Sequence, residues 1–320
     1  MKAFTSFCNA CITVLVLYIA LNPHSNYLFA QDHTPTPESP SGQEGFQQAD
    51  LSTVTGNIQR PNGMLWHDGT LFTSCTGDWT LYRIDPDSGE TIAYIYGIKN
   101  ANTMFAEGSD NQITLWIPDF QSSNLVKIQN GQMSVAGQID TPWGIALLDD
   151  ENFIVTSSRG NSLNLVARDG TVKEIISNLR SPTGVTIDDS SIYIANSGSA
   201  RRAIEWFAKE DISASNNVLE ADSEDRVLVS GVQNVTNLVM GPDNLLYMAY
   251  ALGTRGVVGR VDPLQCIENG GCTNRDVEIV LYTELAAPLA GLTITEELRL
   301  FIHTAFSPDI YSIQLDKIDG

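Results

Sequence analysis

The oxygen-bearing side chains best placed to do chemistry are three asparagines, Asn62, Asn102 and Asn237, and one carboxylate, Asp119. Amide and carboxylate oxygens are the donors that calcium or another hard divalent cation uses, roughly six to eight at a time. A cation held by these four residues would polarise a carbonyl and activate water, the chemistry of a metal-dependent hydrolase. Asparagine at the start of a strand also satisfies turn backbone groups, which is its commoner use. Trp143 and Tyr250 can stack on a flat or sugar-like ligand or fill a core or channel. With Asn196 they complete a polar, nearly neutral set that suits recognition better than hydrolysis.

Other chemistries lack their residues. Neither a Gly-x-Ser-x-Gly elbow nor a Gly-x-x-x-x-Gly-Lys phosphate loop occurs in the chain. Beyond the leader, His67 and His303 are joined only by Cys75, Cys266 and Cys272 from residue 49 onward, too few for a structural zinc site together with the disulfide that the last two can form. His67 precedes an Asp-Gly turn, and His303 lies one residue before a strand end, where it is either a packed side chain or a base. Arg159, in Ser-Ser-Arg-Gly, and Arg201-Arg202 are loop cations that could meet an anion or carboxylate. The formal charge of −20 makes nucleic acid and anionic membrane surfaces poor partners, leaving a small molecule or a protein.

A repeated phrase brings these residues together. RPNGMLWHDGTLFTSC (60–75) returns as TPWGIALLDDENFIVTSS (141–158) and SPTGVTIDDSSIYIANS (181–197). Looser copies begin near Ala101, Thr236 and Pro288, so the anchors are spaced by 40, 41, 40, 54 and 52 residues. Proline, any residue, glycine, an apolar strand, a tight turn and a second apolar strand make a hairpin, and forty residues is one four-stranded propeller blade. The expected fold is therefore all-β, a six-bladed β-propeller over 49–320. The last copy has room for three strands, so LSTVTGNI (51–58) is expected to close the ring beside DIYSIQLDKI (309–318). The two long steps hold insertions, 207–225 and the segment bracketed by Cys266 and Cys272, each expected at an outer edge. A two-sheet sandwich, the competing fold, would not need a repeated Pro-x-Gly.

In that architecture the residues between the proline and glycine positions surround the axis: Asn62, Asn102, Trp143, Thr183, Asn237 and Ala290. The second strands end nearby at Cys75, Asp119, Ser157, Asn196, Tyr250 and Thr304. The expected ligand-binding set is Asn62, Asn102, Asp119, Trp143, Asn196, Asn237 and Tyr250.

The three clearest phrases resemble NHL-type repeats and the six-bladed superfamily of regucalcin, gluconolactonases and paraoxonases. The resemblance covers about 50–320 and implies the fold. In the regucalcin and gluconolactonase branch a residue between Pro and Gly ligates the metal in some blades, which implies that role for Asn62 and Asn237. That branch also places an acidic residue at the first blade, whereas none of the six equivalent positions here is Asp or Glu. Paraoxonase-like catalysis needs a histidine pair, and a streptogramin-lyase-like reading needs histidine with acidic partners.

The first thirty residues carry one charge, Lys2, an apolar run CITVLVLYIAL and the ending Leu28-Phe29-Ala30, which reads as a secretory signal over 1–30. An uncleaved membrane anchor is the competing reading, for which the run is short. Residues 31–48, with Pro35, Pro37 and Pro40, are expected to be an extended tether. Export to the periplasm or outside the cell favours a Cys266–Cys272 disulfide and leaves Cys75 free. The whole reads as an exported, monomeric propeller recognising a small molecule or protein segment at its channel mouth. A lactonase-type hydrolase and a structural envelope scaffold are the rivals.

Overall fold

The computed structural model describes residues 45–109, 112–214, 217–221 and 223–315. The expected signal and the first part of the tether, through residue 44, lie outside the described residues. The remainder forms six antiparallel sheets built on four strands in sequence order, the six blades of the expected propeller. Blade 1 consists of Pro61–His67, Thr70–Cys75, Thr80–Ile84 and Thr91–Tyr96. Blade 2 follows with Phe105–Glu107, Thr114–Asp119, Asn124–Gln129 and Gln132–Gln138. In blade 3 the strands are Pro142–Leu147, Asn152–Ser157, Ser162–Ala167 and Val172–Ser177. Blade 4 runs Pro182–Ile187, Ser191–Asn196, Ile204–Ala208 and Val227–Ser230. Blade 5 has Gln233–Met240, Leu246–Leu252, Arg255–Val261 and Glu278–Ala286. Blade 6 takes three strands from the end of the chain, Leu289–Ile294, Arg299–Thr304 and Ile310–Gln314, and its fourth, Ser52–Thr55, from the beginning. Ser52 pairs with Ser312, so the ring closes as expected.

Burial explains the strand patterns. Second strands lie between neighbouring blades and are buried on both faces, as Thr114–Asp119 and Ser191–Asn196 are along their whole length. Such strands read as apolar runs, whereas the outermost strand Gln132–Gln138 is mostly exposed. Each blade interface has its own apolar cluster, for example Trp116, Leu125, Phe153 and Val166 between blades 2 and 3.

The Pro-x-Gly phrase has a steric cause. In blades 1, 3 and 4 the register of the inner hairpin slips just after the proline, a bulge that turns the strand start toward the axis. A Cβ on Gly144 would sit 2.4 Å from the Thr183 carbonyl oxygen, and one on Gly63 would sit 2.6 Å from Asn102 backbone. Only glycine admits the next blade at that distance.

Both insertions reach backward. Leu219–Glu220, from blade 4, pairs in parallel with the outer strand of blade 3, and Cys272–Thr273, from blade 5, does the same to blade 4. Each therefore extends the outer edge of the preceding blade. The Cys266–Cys272 disulfide ties the helix Pro263–Glu268 to that added strand. The last four residues of the expected tether, 45–48, are joined to blade 5, where Phe46 N donates to Val280 O at 2.9 Å.

Candidate functional site

One face of the ring carries the blade-to-blade linkers and the connections from second to third strands; the other carries the hairpin turns. The linker face brings the residues read from the repeat to the axis, but most of them are committed to holding the ring. Asn62, Asn102, Asp119, Asn196, Asn237 and Tyr250 are all under a tenth exposed.

A belt of polar contacts joins each blade to the next. Ser74 Oγ donates to Ala101 O at 2.8 Å, Thr156 Oγ1 to Thr183 O at 2.7 Å, and His303 Nε2 meets Asn62 O. These three residues occupy the penultimate place of a second strand. In the other three blades a threonine within or just before the inner strand makes the link instead. Thr103 Oγ1 donates to Trp143 O at 2.9 Å, Thr183 Oγ1 to Val235 O at 2.7 Å, and Thr236 Oγ1 to Leu289 O at 2.7 Å. His303 is fully buried, and burial pulls its pKa down to about 4, so it is a neutral belt residue near neutral pH.

Residues ending the second strands clamp their own linkers. Asp119 accepts from the backbone N–H groups of Lys99, Asn100 and Gln121 at 3.2, 3.0 and 3.2 Å. Ser157 Oγ donates to Asp140 O at 2.6 Å, Thr304 Oγ1 to Ala286 O at 3.1 Å, and Cys75 Sγ to Gln59 O. Asn196 Oδ1 accepts from Arg180 N at 2.9 Å. Its Nδ2 donates to Arg202 O at 2.9 Å and to Glu205 Oε2 at 2.6 Å. Tyr250 makes no clamp; it packs in the apolar cluster between blades 4 and 5.

The four residues read as cation donors are not brought to one point. Asn62 and Asn102 meet, Nδ2 to Oδ1 at 3.0 Å, and Asn62 Nδ2 also faces Asn100 Oδ1 at 2.5 Å and Ala101 O at 2.8 Å. Asn237 Nδ2 donates to Ala290 O at 3.1 Å, on the blade 5 to blade 6 side of the ring. The Asp119 carboxylate is occupied by its linker amides. The oxygens that converge here face the Asn62 amide N–H, and the Asp119 carboxylate accepts backbone amides, so the four residues do not present one shared set of free oxygen donors. Among the described residues, no three His, Cys, Asp or Glu side chains are grouped to hold a metal ion.

Trp143 behaves differently. It is half-buried, and its indole Nε1 donates to Thr236 O at 3.2 Å, so the ring reaches from blade 3 past blade 4 to blade 5. Phe120 stands edge-on to it with ring centroids 5.7 Å apart, and the exposed Arg159 guanidinium lies 5.6 Å from the Phe120 centroid. Phe120 escapes the repeat reading because it is one residue past the strand end, in a turn. Glu205 escapes it too; its signal is a lone carboxylate in the third strand, three residues after Arg202.

No family model and no curated protein matches the sequence. Solved structures do. A putative gluconolactonase is 13% identical with a TM-score of 0.62, covering 83% of this chain and 91% of its own. A gluconolactonase from Xanthomonas campestris is 14% identical, TM-score 0.59, covering 83% and 89%. A catalytically inactive virginiamycin B lyase from Staphylococcus aureus with quinupristin is 14% identical, TM-score 0.56, covering 83% and 98%. The likeness is one of fold, and it agrees with the architecture expected from the repeats.

Proposed function

We propose that this chain is a ligand-binding propeller whose recognition surface is the axis mouth on the linker face. The observation that carries this reading is the half-buried Trp143 indole bridging from blade 3 to blade 5, with Phe120 against it and the exposed Arg159 beside Phe120. Two ring faces beside a guanidinium suit a compact ligand with a flat or apolar ring and a carboxylate. The belt and clamps would hold these groups still, which lowers the ordering cost of binding. The Cys266–Cys272 disulfide supports an exported setting, periplasmic or extracellular.

The lyase and gluconolactonases of similar fold keep a lactone or ester hydrolase as the alternative. The donor set speaks against the metal-dependent form, since Asp119 serves its linker and His303 is buried and neutral. The test is a thermal-shift titration of the full chain with benzoate, indole-3-acetate and D-gluconate, paired with a hydrolysis assay on D-glucono-1,5-lactone. Ring carboxylates are expected to raise the Tm, and Trp143→Ala to abolish the rise while the fold is kept. Equal shifts in Trp143→Ala would remove the mouth as the site, and calcium-dependent lactone turnover would favour the hydrolase.

A further inference from the structure

A second feature of the linker face lies away from the axis, at the junction of blades 3 and 4. A cleft of about 450 Å³ is lined there by Arg180, Arg201, Arg202, Ser199, Ser223 and Ser230, with Glu224 at its wall. Its parts come from separate places in the chain. Arg180 belongs to the linker into blade 4, and Ser199, Arg201 and Arg202 to the connection between its second and third strands. Ser223 and Glu224 end the insertion that runs back along blade 3 and returns to this face.

What sets the cleft apart is that three guanidinium groups line one cavity, two of them without an ion pair among the described residues; Arg60, Arg83, Arg159 and Arg275 also lack one there but do not line this cavity. Acidic residues outnumber Lys and Arg by 38 to 18, so an arginine can readily find a carboxylate. Arg168, Arg226, Arg255, Arg260 and Arg299 all do. Arg180 is bonded instead to the Asn178 side-chain oxygen at 2.8 Å, and Arg201 is exposed. Neither has an ion-pair partner among the described residues. Arg202 pairs with the completely buried Glu205 at 2.7 Å, a carboxylate that also feels Arg180, so three guanidinium groups face two carboxylates, Glu205 and Glu224.

The floor is prearranged. Asn196 binds the Arg180 N–H, the Arg202 carbonyl and the Glu205 carboxylate, so one buried amide fixes both arginine-bearing segments. Guanidinium groups and serine hydroxyls on a fixed frame match the oxygens of a tetrahedral oxyanion.

We propose that this cleft is an anion-binding site for a phosphate or sulfate group, whether free or carried as an ester, and that it works independently of the axis mouth. Asn196 acts as its positioning residue. Glu224 limits the site to ligands whose anionic group enters on the arginine side.

The experiment is a titration of the full chain, at constant ionic strength set with chloride, with inorganic phosphate, inorganic sulfate and glucose 6-phosphate as probes. Tm and calorimetric heat are the readouts. Phosphate or sulfate is expected to raise the Tm by a few degrees near saturation. Arg180→Gln with Arg201→Gln should lower affinity at least tenfold without changing the Tm of the unliganded protein, whereas Arg255→Gln, on the same face, should bind as the native chain does. Tighter glucose 6-phosphate than phosphate would identify an ester as the ligand; the reverse would identify the free ion. Trp143→Ala should leave all of this unchanged, which separates failure of this site from failure of the mouth. No shift beyond that of chloride, or equal binding by the double variant, would overturn the proposal.

Discussion

The two faces of this ring differ in where charge is left unpaired. On the turn face, carboxylates are structural. Asp85 accepts from the Asp87 and Ser88 amides at 3.0 and 2.8 Å, and Asp169 from the Thr171 amide at 2.8 Å. Asp188 accepts from Ser190 and Ser191 at 2.8 and 2.7 Å and from the Tyr193 hydroxyl at 2.5 Å. On the linker face, Arg159, Arg180 and Arg201 have no carboxylate partner among the described residues. Much of the net charge of −20 thus sits in turn carboxylates that hold backbone amides, and the unpaired cations at the axis mouth and in the cleft are the ones on which the two proposals rest.

The axis between the faces should tolerate change least. Gly144→Ala places a Cβ 2.4 Å from the Thr183 oxygen, and the expected loss is about 3 kcal/mol in urea unfolding. A loss below about 1 kcal/mol would mean that the blades meet less tightly than the belt implies. On the turn face, Asp188→Ala should cost about 2 kcal/mol, since it strips charged acceptors from two amides and a buried tyrosine.

Acid should separate the same regions by pH. Burial depresses the His303 pKa from the ordinary 6.5 to about 4. Its contribution is complete above the ordinary value and is lost as pH falls toward the folded one, with a limiting slope of about 1.4 kcal/mol per pH unit. The Ser88 amide lowers Asp85 and the Thr171 amide lowers Asp169; for Asp188 burial opposes, but the Tyr193, Ser190 and Ser191 bonds prevail. Each adds stability above the ordinary aspartate value of 3.8, lost as pH falls further. Urea midpoints from pH 7 to 3 should therefore decline in two stages, and His303→Gln should flatten the upper one. A single decline confined below pH 4 would contradict the buried neutral histidine.

The smallest stability effects belong to the linker-face cations. Arg159→Gln and Arg201→Gln should each change unfolding free energy by less than about 0.5 kcal/mol, as surface groups without structural duties do. Chelation followed by millimolar calcium should leave the Tm within about a degree, whereas a cation site filled to 100 times its dissociation constant would add roughly 2.7 kcal/mol.

The blade plan was legible because its cause is local. Pro-x-Gly records a bulge and a close backbone approach, and forty-residue spacing records one sheet. Closure by Ser52–Thr55 followed from counting strands. The site was only partly legible. Position in the repeat brings Asn62, Asn102, Trp143 and Asn237 to the axis, but their partners lie on neighbouring blades, where spacing does not disclose hydrogen bonds. Asn196 looked like a rim residue and is the buried tie beneath three arginines. Tyr250 looked like a platform and packs inside, because blade 5 pairs Gln233 with Ala251 and its second strand runs on to Leu252. Arg201-Arg202 were visible as loop cations; the insertion that makes a cleft of them was visible only as length.

The most direct measurement is one thermal-shift screen of anionic ring compounds against three proteins. These are the native chain, a linker-face variant, Trp143→Ala with Arg159→Gln, and a turn-face variant, Glu296→Gln with Glu297→Gln. The native chain and the turn-face variant should share their hits, and the linker-face variant should lose them. Hits kept by the linker-face variant and lost from the turn-face one would place recognition on the wrong face and contradict the account.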